Sequence, residues 1–195
     1  MAQDRPVLPA PHQVAVEIWK TTAEKKITSK RSLVYHGWVT LSATLLGFGM
    51  GAALGIALAV GIVHSRAMDM SVMPWIITSQ TIPILAIAPM IIVVLNAVGI
   101  SGLLPKALIS TYLSFFPVPY LFASLKVAVA ASLVGAIVGE LPTGAVAGLG
   151  ARLLAGSYYG QTVQIWSALI AAAVLAGALV GLIGLMNRIV LGRMG

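Results

Sequence analysis

The chain has 195 residues, 59% hydrophobic and 9% charged, with a formal net charge of +7 and a pI near 10.1. A water-soluble domain carries roughly a quarter of its residues charged, so water is not the main solvent of this chain. Nucleic acid is excluded as the reason for the basic excess: half of the twelve Lys and Arg precede Gly37, and no basic stripe alternates with exposed aromatics.

After Asp69 the chain holds a single acidic side chain, Glu140, and five basic ones. An unpaired charge at the bilayer centre costs about 2.5–3.5 kcal/mol on insertion scales, which accounts for the depletion. The expected fold class is all-α, a polytopic integral membrane helical bundle of four to five transmembrane segments. Zero cysteines exclude disulfides, thiolate metal sites and cysteine nucleophiles.

Residues 1–37 read as a polar, partly amphipathic N-terminal arm, without the apolar core of a signal peptide. Within it, Val14, Ile18 and Trp19 are placed to lie along an interface with Lys20, Lys25 and Lys26 outward; a solvated arm is the alternative. Residues 38–195 read as the membrane domain, with spans at about 38–64, 72–98, 104–118, 119–140 and 165–191. In the first span Gly47, Gly51 and Gly55 recur every fourth residue, a smooth face where another backbone can approach closely. Gly135 with Gly139, and Gly177 with Gly181, repeat the idea more weakly.

The second span contains Ser79, Gln80 and Thr81, then Pro83 and Pro89. Each proline removes a backbone donor and clashes with the preceding turn, so a kinked or unwound helix is expected. Broken backbone at membrane depth is tolerated where it lines a cavity. These five residues, with Glu140, are the candidates for a translocation path; a simply kinked packing helix is the alternative. Residues 141–164 read as a glycine-rich loop, with Gly148-Leu-Gly150-Ala-Arg152 a flexible part of it. The last span ends in Arg188 and Arg193, which reads as a cytoplasmic terminus.

Catalytic patterns are lacking. His12, His36 and His64 are far apart with no carboxylate among them, which argues against a metal site, and no nucleophile elbow or P-loop is present. Glu140 closes a span and is expected near the interface. A proton relay there would need a partner, and Lys126 lies about 21 Å away along the helix. The sequence argues against an enzyme and for a chain with no cofactor of its own.

Six stretches in order resemble the membrane permease of bacterial ABC importers, in the branch serving sulfonates, nitrate, taurine and pyrimidine-type compounds. Val7-Leu-Pro-Ala-Pro11 resembles "LPSP", and Trp38 to Gly51 resembles "SLxRxxxGF", with Thr44 where the family has a basic residue. Thr81-Ile-Pro-Ile-Leu-Ala-Ile-Ala-Pro89 is similar to "PIPxLAxxPL", and Phe115-Phe-Pro117 to "FFP". Pro119-Tyr-Leu-Phe-Ala-Ser-Leu-Lys126 is similar to "LPYxxxGLR", and Val138-Gly-Glu140 to "VAE". The resemblance implies a type I importer permease in the bacterial inner membrane, working as a dimer with a second permease copy. It implies cytoplasmic ATPase subunits that bind the ATP and a periplasmic solute-binding protein that delivers a small polar solute. Two family elements are missing: a first span ahead of the "LPSP" region, and the EAA–Gly loop that docks on the ATPase, where Val118 abuts Pro119. Two alternatives stay open, a truncated remnant that inserts and dimerises without transporting, and a proton-driven secondary carrier.

Overall fold

The computed structural model describes residues 8–115, 121–142 and 145–194. Among them every regular element is helical: α1 Pro11–Thr22, α2 Leu33–His64, α3 Arg66–Thr81, α4 Ile84–Ala97, α5 Leu103–Ser114, α6 Leu121–Gly139, α7 Leu149–Tyr158 and α8 Thr162–Met194. The 32 residues of α2 extend about 48 Å, well beyond the roughly 30 Å of bilayer hydrocarbon.

Two helices, α2 and α8, are long and apolar enough to cross a membrane, and the bent pair α3–α4 makes a third crossing if taken as one span. Only 17% of the most apolar window of α2, and likewise of α8, is buried inside the chain. Leu54, Val60, Val63, Val174 and Leu182 face outward. A continuous apolar surface of this kind is stable against lipid or another subunit, not against water. In α6 the stretch Leu125–Gly139 is apolar but shorter than a full crossing.

The described part of the arm folds onto the bundle. Pro11 opens α1 at a position where its missing N–H costs nothing, and the Gln13 side chain accepts from the Ala10 N–H at 3.3 Å. Val14 is buried, and Ile18 packs on the cluster of Leu33, Leu149 and Ala172, so α1 docks on the bundle. Trp19 points outward. The polar arm thus ends by Ser32, and α2 begins five residues before the expected span.

The break between α3 and α4 falls at Ile82-Pro83, and the two helices meet at 96°. Pro83 forces the preceding Ile82 into extended backbone (φ −79°, ψ 124°), which ends α3 there. Pro74 and Pro89 are carried inside α3 and α4 instead. The α4–α5 turn uses Gly99 at φ +81°, and the Ile100 N–H returns to the Leu95 carbonyl at 2.8 Å, a left-handed helix stop that glycine permits.

The core is a three-helix contact of α2 with the antiparallel hairpin α5–α6. A Cβ built on Gly135 would lie 2.6 Å from Ser110 Cα, and one on Gly139 3.1 Å from Lys106 Cα. A Cβ on Gly47 would collide with Ser110, and one on Gly51 with Ser114. Hydroxyls tie the same faces together: Ser110 donates to the Ser132 carbonyl (2.8 Å), Ser132 to the Thr44 carbonyl (2.8 Å) and Ser114 to the Gly47 carbonyl (3.2 Å). Small residues bring the backbones close, and the hydroxyls are satisfied across the contact.

Candidate functional site

The chemistry concentrates at one end of this three-helix contact. On α2, His36, Thr40 and Thr44 follow one another at four-residue spacing and are all buried, on the face that continues into Gly47, Gly51 and Gly55. Glu140, just past α6, is fully buried. Its carboxylate meets the Thr40 hydroxyl at 2.9 and 3.0 Å and accepts the Gly150 N–H at 2.9 Å. Lys106 of α5 places its Nζ 3.8 Å from the Glu140 Oε1 and donates to the Ala147 carbonyl at 2.8 Å.

These groups cap α7. The Gly148 N–H donates to His36 Nδ1 (3.0 Å), the Leu149 N–H to Thr40 Oγ1 (2.8 Å) and the Gly150 N–H to Glu140. Three consecutive amides that no helical bond can satisfy therefore find partners on α2 and at the end of α6, and the carboxylate lies where the helix dipole favours negative charge. His36 Nε2 lies 2.9 Å from the Lys30 carbonyl, so the ring donates there and accepts at Nδ1. Gly148 is at φ +128°, and a Cβ there would strike the Glu140 carboxyl. A Cβ on Gly150 would strike the Ile137 carbonyl and lie 2.9 Å from Glu140 Cβ.

One expectation is corrected here: Gly148 to Arg152 is not a flexible loop but the tightly packed start of α7. Glu140, which lacks a partner along its own helix, finds a cation in Lys106 on α5. Sequence reasoning missed His36, Thr40 and Lys106. The signal available for the first two was the four-residue spacing of polar side chains that leads into the glycine face.

Beside the cluster, a cavity of about 620 Å³ opens between the start of α2, the end of α4, the start of α5, Pro142 and residues 145–147. Tyr35, Trp38, Ser42, Asn96, Ser101 and Lys106 are among its walls. It is apolar with a few convergent polar groups, the usual character of a small-molecule site.

The other candidates are distributed differently. Ser79 is half-buried and turns its hydroxyl back to the Ile76 carbonyl at 2.7 Å, while Tyr112 of α5 donates to the Ser79 carbonyl beside the break. Pro83 and Pro89 are exposed. The side chains of Gln80 and Thr81, and the junction Val118-Pro119, lie outside the described residues. Gly55 is buried on the α2 stripe. A Cβ at Gly177 or Gly181 would meet nothing within 4 Å, so among the described residues nothing packs on α8 at these two positions.

On the far side of His36, Arg152 of α7 is buried. It donates to the Arg31 carbonyl (3.0 Å) and to Gln164 Oε1 (3.3 Å), with Glu17 at 3.8 Å. Burial lowers its pKa from the ordinary arginine value, and the Glu17 carboxylate pulls the other way.

The fold and this site define a helical membrane protein with a buried, paired carboxylate and a side cavity. No family model and no solved structure matches the chain. It is similar to the riboflavin transport system permease protein RibX of Chloroflexus aurantiacus, 27% identical over 222 aligned positions that cover 94% of this chain and 79% of the relative. The likeness is thus to a transport permease and runs along nearly the whole of this chain. Since 94% of 195 residues is about 183, about 39 of the 222 aligned positions have no residue in this chain.

Proposed function

We propose that the chain is the permease subunit of an ATP-binding-cassette importer in the bacterial inner membrane, which forms the path for a small polar solute delivered by a periplasmic binding protein. Two permease copies and cytoplasmic ATPase subunits complete the assembly, and ATP is bound by the ATPase alone. The observation that carries this reading is the nearly end-to-end likeness to a transport permease. The bent α3–α4 pair and the adjoining side cavity support it.

The solute we infer is a heteroaromatic ring compound of flavin or pyrimidine type. Tyr35 and Trp38 offer faces for stacking, and Ser42, Asn96 and Lys106 offer hydrogen bonds in the same cavity. The relative's name, a riboflavin transport permease, points the same way. Uptake of labelled riboflavin and uracil into proteoliposomes that contain permease, ATPase and binding protein tests the reading. ATP-dependent uptake of either, reduced by Trp38→Ala, supports it; uptake that needs only a proton gradient contradicts it.

A second reading, a form that inserts and dimerises without coupling to an ATPase, is favoured by the connection between α5 and α6. Six residues, 115–120, join the two helices, and no charged residue lies between Lys106 and Lys126. Six residues span at most about 20 Å, too little to leave the bilayer, form a docking helix and return.

A further inference from the structure

A second cleft, of about 520 Å³, opens near the α2 start and shares Ala145 and Val146 with the aromatic cavity. Five cationic side chains line it, Lys20, Lys25, Lys30, Arg31 and Arg152, against a single carboxylate, Glu17. Lys20, Lys25, Lys30 and Arg31 are exposed, whereas Arg152 is only 8% exposed. Among the described residues two buried side-chain polar atoms have no hydrogen-bond partner, Arg152 Nε and Ser32 Oγ. Of the two, Arg152 lines the cleft. Buried donors are normally satisfied, so an orphaned guanidinium N–H at a cleft of unbalanced positive charge points to an absent acceptor. Glu17 does not supply it, because its 3.8 Å approach to Arg152 is too long for a hydrogen bond.

We propose that this cleft binds a phosphate-bearing anion, with Arg152 as the buried anchor and the three lysines as the outer ring. A phosphate offers several acceptor oxygens and a charge that matches the cluster, and guanidinium groups suit its geometry. The same helix α1 separates the cleft from an apolar groove of about 380 Å³ walled by Val14, Ile18, Trp166 and Ile170. A basic cleft and an apolar groove on either side of one helix match the head and tail of a phospholipid, so the lipid is the favoured source of the phosphate. Polybasic segments at a membrane surface attract anionic lipid in this way. This site does not depend on the transport reading.

The test uses the full chain in a non-ionic detergent, with phosphatidylglycerol, diacylglycerol of the same chain length, and inorganic phosphate as probes. Phosphatidylglycerol should bind at least about tenfold more tightly than diacylglycerol. Lys20→Gln/Lys25→Gln/Lys30→Gln, three exposed positions whose change leaves the lipid-free melting temperature in place, should abolish that preference. Displacement of the lipid by inorganic phosphate would support phosphate recognition. Binding of inorganic phosphate with no lipid preference would keep the site and assign it to the free anion. No binding of either, or a preference that survives the triple variant, would overturn the proposal.

Discussion

Thr40 and Glu140, one hundred residues apart, meet at 2.9 Å between hydroxyl and carboxylate, and the same hydroxyl accepts the Leu149 N–H at 2.8 Å. One side chain on α2 therefore joins the end of α6 to the start of α7. Thr40→Val keeps the shape and removes the hydroxyl, leaving a buried amide and a carboxylate each short of a partner. The expected loss is about 1–3 kcal/mol of stability, read as a lower melting temperature in detergent, with Thr40→Ser close to the parent. A Val variant as stable as the parent would remove Thr40 from this role.

The Lys106–Glu140 pair makes a stronger demand. Removing only the cation by Lys106→Met leaves a buried carboxylate without its counter-charge, a change that costs about 3–5 kcal/mol in buried ion pairs. Adding Glu140→Gln should recover part of that loss, because the amide can still accept from Gly150. The double-mutant cycle measures the coupling, and additive losses would show that the two side chains do not interact.

The glycine faces give a contrast within one molecule. Gly51→Leu forces a side chain into Ser114 of α5 and should destabilise the bundle by about 1–3 kcal/mol through overpacking. A Cβ at Gly177 meets nothing within 4 Å among the described residues, so Gly177→Leu should leave the melting temperature of the isolated chain unchanged. A reduced dimer fraction in Gly177→Leu with an unchanged melting temperature would assign that face of α8 to the second copy.

The absence of cysteine makes accessibility measurable with single substitutions. Asn96→Cys, on the wall of the aromatic cavity, should react with a small water-soluble maleimide, and bound solute should protect it. Val174→Cys, which faces outward from the middle of α8, should stay unreactive in a bilayer. Equal reactivity at both positions would contradict the membrane placement.

Membrane character, the break at Pro83 and the close face at Gly47 and Gly51 were legible, since each is a local pattern: depletion of charge, a proline in a helix, a four-residue glycine repeat. The polar cluster was not. Lys106, Thr40 and Glu140 belong to three elements, and nothing local pairs a lysine at the start of one helix with a carboxylate after the next. The Gly-Leu-Gly segment read as loop because glycine usually breaks helices. Here Gly148 and Gly150 are small because the Glu140 side chain and the Ile137 carbonyl occupy the space a Cβ would need. The docked α1 was missed for a related reason: its partners, Leu149 and Ala172, lie far along the chain.

As the proposed permease subunit of an ABC importer, the chain must take up the work of its ATPase partner. The most direct measurement is ATP hydrolysis in proteoliposomes that contain this chain, the cognate ATPase and solute-loaded binding protein. The expected result is stimulation by solute-loaded binding protein with the 195-residue chain. No stimulation by this chain, with recovery only once a docking loop is inserted between Val118 and Pro119, would contradict the permease reading and select the form that does not couple.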